Sequence, residues 1–114
     1  MVDRSRRDSA IAKKILKEID DIRNFTIGMS VSDFCSDEKS QKAVAVTLIN
    51  IGELSKAFTA DFIERHKDIP WKDIQATRNI AAHKYESIDM QIIWETIVND
   101  LPSLQKVMED SVTI

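Results

Sequence analysis

The chain contains very little glycine and proline, with only two of each among 114 residues. Turns depend on these two residue types for special backbone conformations, so this composition disfavours a fold of many short strands and tight turns. Long helices joined by a few connections are the expected alternative. The length is that of one domain, and we therefore predict a single helical domain over residues 1–114.

Cysteine and long apolar segments are also scarce. Cys35 is the one cysteine, which rules out an intrachain disulfide and a zinc site built from several thiolates; we expect it to pack as an inert side chain. No stretch approaches the roughly 20 apolar residues of a membrane span, and no long apolar run marks the N-terminus. These absences predict a cytoplasmic protein with no membrane association.

A general excess of positive charge is missing as well, because the formal net charge is −3. The first segment is an exception, since it contains only two acidic residues, Asp3 and Asp8. Its cations are Arg4, Arg6, Arg7, Lys13, Lys14 and Lys17. Such a cluster could bind phosphates, which dominate the affinity of proteins for nucleic acids. An ordinary solvated helix face is the more common explanation of a charge run.

Apolar residues recur at helical spacing along most of the chain. We predict helices from Asp8 to Phe25, from Asp37 to Phe58 behind an N-cap at Ser36, from Thr59 to His66, from Pro70 to His83, and from Asp89 to about Met108 with a kink at Pro102. Connections between them are short, which favours antiparallel neighbours. The predicted fold is an all-α, up-and-down antiparallel bundle of four main helices and one short helix.

The most informative stretch for chemistry runs from Arg78 to Tyr85. Asn79 and His83 are four residues apart and share a helix face, whereas Arg78 and His83 diverge by about 140° on a regular helix. One helix therefore does not place Arg78 beside His83, although both could border one cleft. Two copies related by a two-fold axis would bring four such side chains together, and the small residues beside them permit close approach. This geometry suggests a homodimer.

These residue types suit the cleavage of a phosphodiester. His83 titrates near neutral pH and could accept or donate a proton. Arg78 could bind a phosphate through two hydrogen bonds, while Asn79 could fix the imidazole tautomer. With RNA as substrate the 2′-hydroxyl is the nucleophile, so no metal or other cofactor is required. Considered from spacing alone, residues near a helix end more often have capping or ion-pairing roles.

A family resemblance supports the catalytic interpretation. Arg78 and His83-x-Tyr85 match the R-x4-H-x-Y signature of HEPN proteins of the HepT family. Further landmarks of that family follow in the same order, from about Ile19 to about Met108: Ile51-Gly52-Glu53, Ile69-Pro70-Trp71, Trp94-Glu95-Thr96 and Asp100-Leu101-Pro102. One departure is Lys84, which stands where an acidic residue is frequent in relatives.

The resemblance implies a dimeric, HEPN-like helical bundle that acts as a toxin. Such proteins are metal-independent endoribonucleases, and their partner is a minimal nucleotidyltransferase antitoxin. Carried over by position, Arg78 and His83 would be catalytic and Asn79 a supporting residue. Tyr85 would accept AMP from the antitoxin, and this modification would block the cleft and compete with RNA for Arg78.

Two alternatives to catalysis remain open from the sequence. The dimer could be a non-catalytic module that binds a nucleotidyltransferase or a nucleotide, or a structural dimer in which Arg78 and His83 form salt bridges. Glu53, beside Gly52, is expected to be partly buried and to form an ion pair with Lys56 or a cross-helix hydrogen bond, with a place in the active cleft as the less favoured interpretation. Trp71 and Trp94 are expected to pack in the core or an interface rather than stack on bases.

Overall fold

The computed structural model describes residues 2–75 and 89–112, with side chains from residue 6 onwards. Within these ranges the regular elements are all helical, and no strand occurs. The helices are α1 (Val2–Thr26), α2 (Val31–Ser36), α3 (Glu38–Ser55), α4 (Ala60–Arg65), α5 (residues 71–75), α6 (Met90–Glu95) and α7 (Leu101–Ser111), and a π-helical turn (Thr96–Asp100) joins the last two. The predicted all-α class is confirmed.

Helix α1 begins six residues before the predicted start and buries the expected stripe. Ile15, Ile19 and Ile22 are at most 1% exposed, and burial of each such side chain stabilises the fold by about 1.5–3 kcal/mol. The helix ends before Gly28, whose φ of +78° is a conformation that favours glycine. A Cβ at Gly28 would meet nothing within 4 Å, so the backbone conformation, not the available space, favours glycine there.

The helix α2 was not predicted. Ser30, interpreted from sequence as part of a break, is its N-cap: the Ser30 hydroxyl accepts from the Asp33 amide at 3.1 Å, and the Asp33 carboxylate accepts from the Ser30 amide at 3.0 Å. This reciprocal pair is a capping box. Ser36 consequently ends α2, and Asp37 occupies the N-cap position of α3. The predicted cap at Ser36 was therefore wrong by one residue.

The remaining helix starts follow their predicted caps. The Thr59 hydroxyl accepts from the Phe62 amide at 3.2 Å at the start of α4, and Asp89 accepts from the Gln91 amide at 2.9 Å at the start of α6. Residue 71 begins α5 directly after Pro70. Residues 31–65 thus contain two six-residue helices, α2 and α4, where one short helix was predicted.

The irregularity expected at Pro102 takes the form of a π turn. The Leu101 amide donates to the Thr96 carbonyl, five residues back, just before proline enters the first turn of α7. Pro102 has no amide hydrogen, and in a regular helix its ring would crowd the Val98 carbonyl. The wider turn accommodates this residue and joins the two halves of the predicted last helix.

Helix α1 is the centre of the bundle and packs against both α3 and α7. Three tertiary hydrogen bonds show that α1 and α3 run antiparallel, as predicted. Near one end, the Thr59 amide and hydroxyl donate to Asp8 at 3.0 and 2.7 Å; further along, Asn50 donates to Glu18 at 2.7 Å. The N-terminal half of α1 therefore lies beside the C-terminal end of α3.

Candidate functional site

The predicted motif residues Arg78, Asn79, His83 and Tyr85 lie between the two described ranges, outside the described residues. The described part of the site is the structure around the motif. It consists of α5, which precedes the motif, and of α6 with the π turn, which follow it. This surrounding structure fixes where the chain enters and leaves the segment.

Trp71 anchors the entry to α5. Its side chain is buried, and its indole N–H donates to the His66 carbonyl at 2.9 Å. The ring also lies edge-on to Phe58 and Phe62, with centroid distances of 5.7 and 6.3 Å. Edge-to-face packing and a satisfied indole hold a tryptophan in one orientation. The predicted packing role of Trp71 is confirmed, and it fixes the direction in which α5 begins seven residues before Arg78.

The inner side of α5 packs between α3 and the π turn. Ile74 is buried against a pocket formed by Leu48, Ile51, Thr96, Asp100, Leu101 and Leu104, in which a cavity of only about 10 Å³ remains. Gln75 donates to the Ser55 hydroxyl at 3.4 Å, and that hydroxyl donates to the Gly52 carbonyl at 2.8 Å. Tight packing of this kind transmits displacements, so the π turn and α3 together position the segment that leads to the motif.

Glu53 lies on the other side of α3, facing away from this pocket. Its side chain is 48% exposed, and its carboxylate lies 3.9 Å from the Lys56 ammonium. The predicted ion pair with Lys56 is confirmed, whereas the predicted partial burial was wrong, because α3 presents this position to solvent.

Glu53 instead borders an open groove of about 510 Å³ between α1 and α3. The groove is lined by Lys14, Lys17, Glu18, Asn50, Glu53, Leu54 and Ala57. Among these described lining residues two lysines are matched by two carboxylates, so this part of the lining is electrically balanced. Asn50, which links the helices through Glu18, was missed by the sequence analysis because no local pattern connects residues 32 positions apart.

The exposed side of α1 next to this groove has a pronounced positive charge. We define the basic face as Arg6, Arg7, Lys13, Lys14 and Lys17, all exposed. At about 100° per residue these five positions fall within about 120° of the helix surface, opposite the buried isoleucines. Asp8 is the one acidic residue from 6 to 17, and it is buried against Thr59. The charge asymmetry noted in the sequence is therefore concentrated on one surface.

Trp94, on the far side of the motif, also has a packing role. It is half-buried on α6, and its ring contacts the fully buried Phe34 of α2 at a centroid distance of 5.4 Å. This contact confirms the expectation that Trp94 packs rather than stacks on bases. The expectation that Cys35 packs in the interior was wrong, because α2 buries Phe34 and exposes its neighbour Cys35.

Comparison with known proteins identifies the family. The family model described as "Ribonuclease HepT-like" matches residues 15–111. The chain belongs to the HepT-like ribonuclease family. The expected endoribonuclease class and the family resemblance are confirmed by this match, which spans both flanks of the motif segment and the segment itself.

Several curated relatives support the assignment. The HepT-like chain is 38% identical over 96 residues to "Putative RNase MJ0127" of Methanocaldococcus jannaschii, covering 84% of this chain and 79% of the relative. It is 34% identical over 106 residues to "Putative RNase MJ1380" of the same organism, covering 92% and 97%. It is 37% identical over 91 residues to "Probable ribonuclease HepT" of Thermococcus cleftensis, covering 80% and 83%. No solved structure matches the chain.

Residues 2–75 and 89–112 contain neither a candidate metal site nor a candidate membrane span. No group of three or more histidine, cysteine, aspartate or glutamate side chains there could hold a metal ion. None of the helices in the same ranges is both long and apolar enough to cross a membrane.

Proposed function

We propose that this HepT-like chain is the toxin of a toxin–antitoxin pair and a metal-independent endoribonuclease. In this proposal Arg78 and His83 are the catalytic residues and Asn79 supports them, in a cleft shared by two copies of the chain. The observation that carries the proposal is the ribonuclease family match over residues 15–111, which includes the Arg78–Tyr85 segment.

The chemistry requires a proton acceptor, a proton donor and a cation. The 2′-oxygen of a ribose attacks the adjacent phosphorus as a base removes its proton, and the bond from phosphorus to the 5′-oxygen breaks. The departing oxygen takes up a proton, which leaves a 2′,3′-cyclic phosphate and a 5′-hydroxyl. His83 can exchange these protons near neutral pH, and Arg78 can stabilise the negative charge that develops on the phosphoryl oxygens.

The well-packed start of α5 is consistent with this role. A catalytic side chain contributes only when its backbone is held in a defined position, since small displacements cost large factors in rate. Trp71 and Ile74 fix α5 on the helices around it, through a buried hydrogen bond and close apolar packing. A rigid lead-in of this kind suits a segment that must present an arginine and a histidine together.

Control by a nucleotidyltransferase antitoxin completes the proposal. The phenolic oxygen of Tyr85 would attack the α-phosphorus of ATP, form a phosphodiester with AMP and release pyrophosphate, while the phenolic proton passes to a base. The added group is bulky and anionic, so it would fill the cleft and compete with the RNA phosphate for Arg78. Tyr85 is the only tyrosine in the chain, so modification of tyrosine can be assigned to this position.

The experiment is cleavage of a mixed RNA pool in EDTA by unmodified protein, beside Arg78→Ala and His83→Ala. The matched controls are Arg65→Ala, whose side chain is exposed and paired with Asp61, and His66→Ala, the other histidine of the chain. Wild type and controls should cleave the pool and leave cyclic phosphate ends, and both motif variants should be inactive. The thermal stability of the motif variants should remain close to that of wild type.

Two results would refute the catalytic assignment. One is full cleavage by His83→Ala, and the other is inactivity of unmodified, folded wild type on every RNA offered. A large loss of thermal stability in both motif variants would instead indicate structural salt bridges. Intact mass spectrometry must accompany the assay, because a mass increase of one AMP less one water would identify a sample already silenced.

A further inference from the structure

We infer that the basic face of α1 is a secondary RNA-binding surface that holds the phosphate backbone of single-stranded RNA outside the motif segment. The inference takes the identity of its ligand from the proposed ribonuclease function. It assigns a binding role to residues that the motif does not include, and it depends on the charge, exposure and pairing of those residues.

The first observation is that most of these cations have no carboxylate partner among the side chains that the structure describes, those of residues 6–75 and 89–112. Within this set Arg6, Arg7, Lys13 and Lys14 form no ion pair, whereas Lys17 pairs with Asp21 at 3.3 Å. A cation without a nearby carboxylate is available to bind an external anion at no cost in broken pairs.

Four of the eight cations elsewhere among the described side chains form ion pairs: Lys42, Lys56, Arg65 and Lys67. Lys42 pairs with Glu38 at 3.1 Å and Arg65 with Asp61 at 3.1 Å, each one helical turn away. Such pairs are the common outcome when charges alternate along a helix. The segment from residue 6 to residue 17 lacks the acidic residues needed for that outcome, because its one carboxylate, Asp8, points inward to Thr59.

The second observation is the shape of the charged surface. From Arg6 to Lys17 the helix rises about 16 Å, so the cations form an elongated patch long enough to contact several consecutive phosphates. This patch ends at Glu18, and the following exposed residue Asp20 continues the acidic half of α1. Among the described residues, the lining of the groove beside this patch includes two carboxylates and no aromatic side chain, so these residues offer no stacking platform for bases. These features suit contact with the backbone, without reading of sequence.

The third observation is the overall charge. A protein with a formal charge of −3 repels a polyanion unless a local surface reverses the sign. Neutralisation of phosphates releases counterions, so binding to such a surface weakens with salt. For a single strand, each contact lowers the logarithm of the affinity by about 0.7 for every tenfold increase in salt. This dependence provides a direct count of the contacts that the basic face contributes.

The test measures the binding of a fluorescent single-stranded 2′-O-methyl RNA, which cannot be cleaved, from low to moderate salt in EDTA. The test variant is Lys13→Gln/Lys14→Gln, and the matched control is Lys39→Gln/Lys42→Gln. Both variants remove two positive charges from exposed helical positions, and glutamine keeps a comparable helix propensity. The control residues lie on α3 at the opposite end of its antiparallel pairing with α1.

Neutralising Lys13 and Lys14 should make the negative slope of log affinity against log salt less steep by about 1.4. If the curves meet at 1 M salt, the affinity at 0.15 M salt should be about 14-fold weaker than that of wild type. The control should retain the wild-type slope, and both variants should melt like wild type. Equal slopes for test variant and wild type would overturn the inference, as would an equal loss in both variants. If wild type binds this RNA but leaves the unmodified RNA pool of the cleavage assay intact, the proposed ribonuclease function is refuted and this binding surface is not.

Discussion

The buried contact between Asp8 and Thr59 permits a quantitative test of what holds α1 to α4. Asp8 is 5% exposed, and its two carboxylate oxygens accept from the Thr59 amide at 3.0 Å and from the Thr59 hydroxyl at 2.7 Å. Thr59 also caps α4 through the Phe62 amide. The same threonine therefore joins a helix cap to a residue 51 positions earlier in the chain.

Asp8→Ala removes both hydrogen bonds. Bonds to a charged group contribute about 1.5–3 kcal/mol each, and loss of the unfavourable burial of a carboxylate offsets part of this, so we expect a net destabilisation of about 3 kcal/mol. For a chain of this length the melting temperature should fall by roughly 10 °C. Thr59→Ala should cost about 2 kcal/mol, which combines its cap with its bond to Asp8.

The assay is urea denaturation of the two single variants and the double variant at one fixed protein concentration. Because both single variants remove the hydroxyl–carboxylate bond, the double variant should be less destabilised than the sum by about 1.5 kcal/mol. Asp20→Ala, an exposed position on the same helix, is the matched control and should change stability by less than about 0.5 kcal/mol. A loss for Asp8→Ala no larger than that of Asp20→Ala, or strict additivity in the cycle, would refute the reasoning.

Two further predictions concern the structure around the motif. Trp71→Ala should destabilise the protein by about 3–5 kcal/mol, and Trp71→Phe, which keeps the ring contacts and loses the bond to His66, by about 1–2 kcal/mol. Both losses are measured by urea denaturation. Similar losses for the two variants would contradict a separate contribution of the indole N–H. Pro102→Ala should change stability by less than about 1 kcal/mol but allow a bond from residue 102 to Val98, seen as slowed amide exchange at that residue. Unprotected exchange there would mean that the π turn does not depend on proline.

Local patterns accounted for much of the fold. The isoleucine stripe of α1, the caps at Thr59 and Asp89, and the start of α5 after Pro70 are all set by interactions within a few residues. Helix α2 was missed, although Ser30-Val31-Ser32-Asp33 has the spacing of a capping box. The segment resembled a loop because it has four small polar residues in a short span: Ser30, Ser32, Asp33 and Ser36. In the structure, the burial of Phe34 distinguishes it from a loop.

Contacts between distant residues could not be predicted in the same way. Nothing local marks Asp8 as the partner of Thr59, or Glu18 as the partner of Asn50, because these pairings arise only when α1 and α3 are packed. The pairing of Glu53 with Lys56 was predictable because it spans one turn, but the exposure of Glu53 depends on which side of α3 faces the core. The roles of Arg78 and His83 remain predictions, as does the single domain over residues 1–114.

The π turn before Pro102 also has a consequence for how relatives of this chain are compared. A π turn is equivalent to an α-helix that has received one extra residue, and the insertion rotates everything after it by about 100° relative to what precedes it. A homologue with an uninterrupted helix here should align with a one-residue gap within 96–100. An ungapped alignment would match core positions on one side of the turn to surface positions on the other, and would assign the wrong counterparts to Leu104 and Met108.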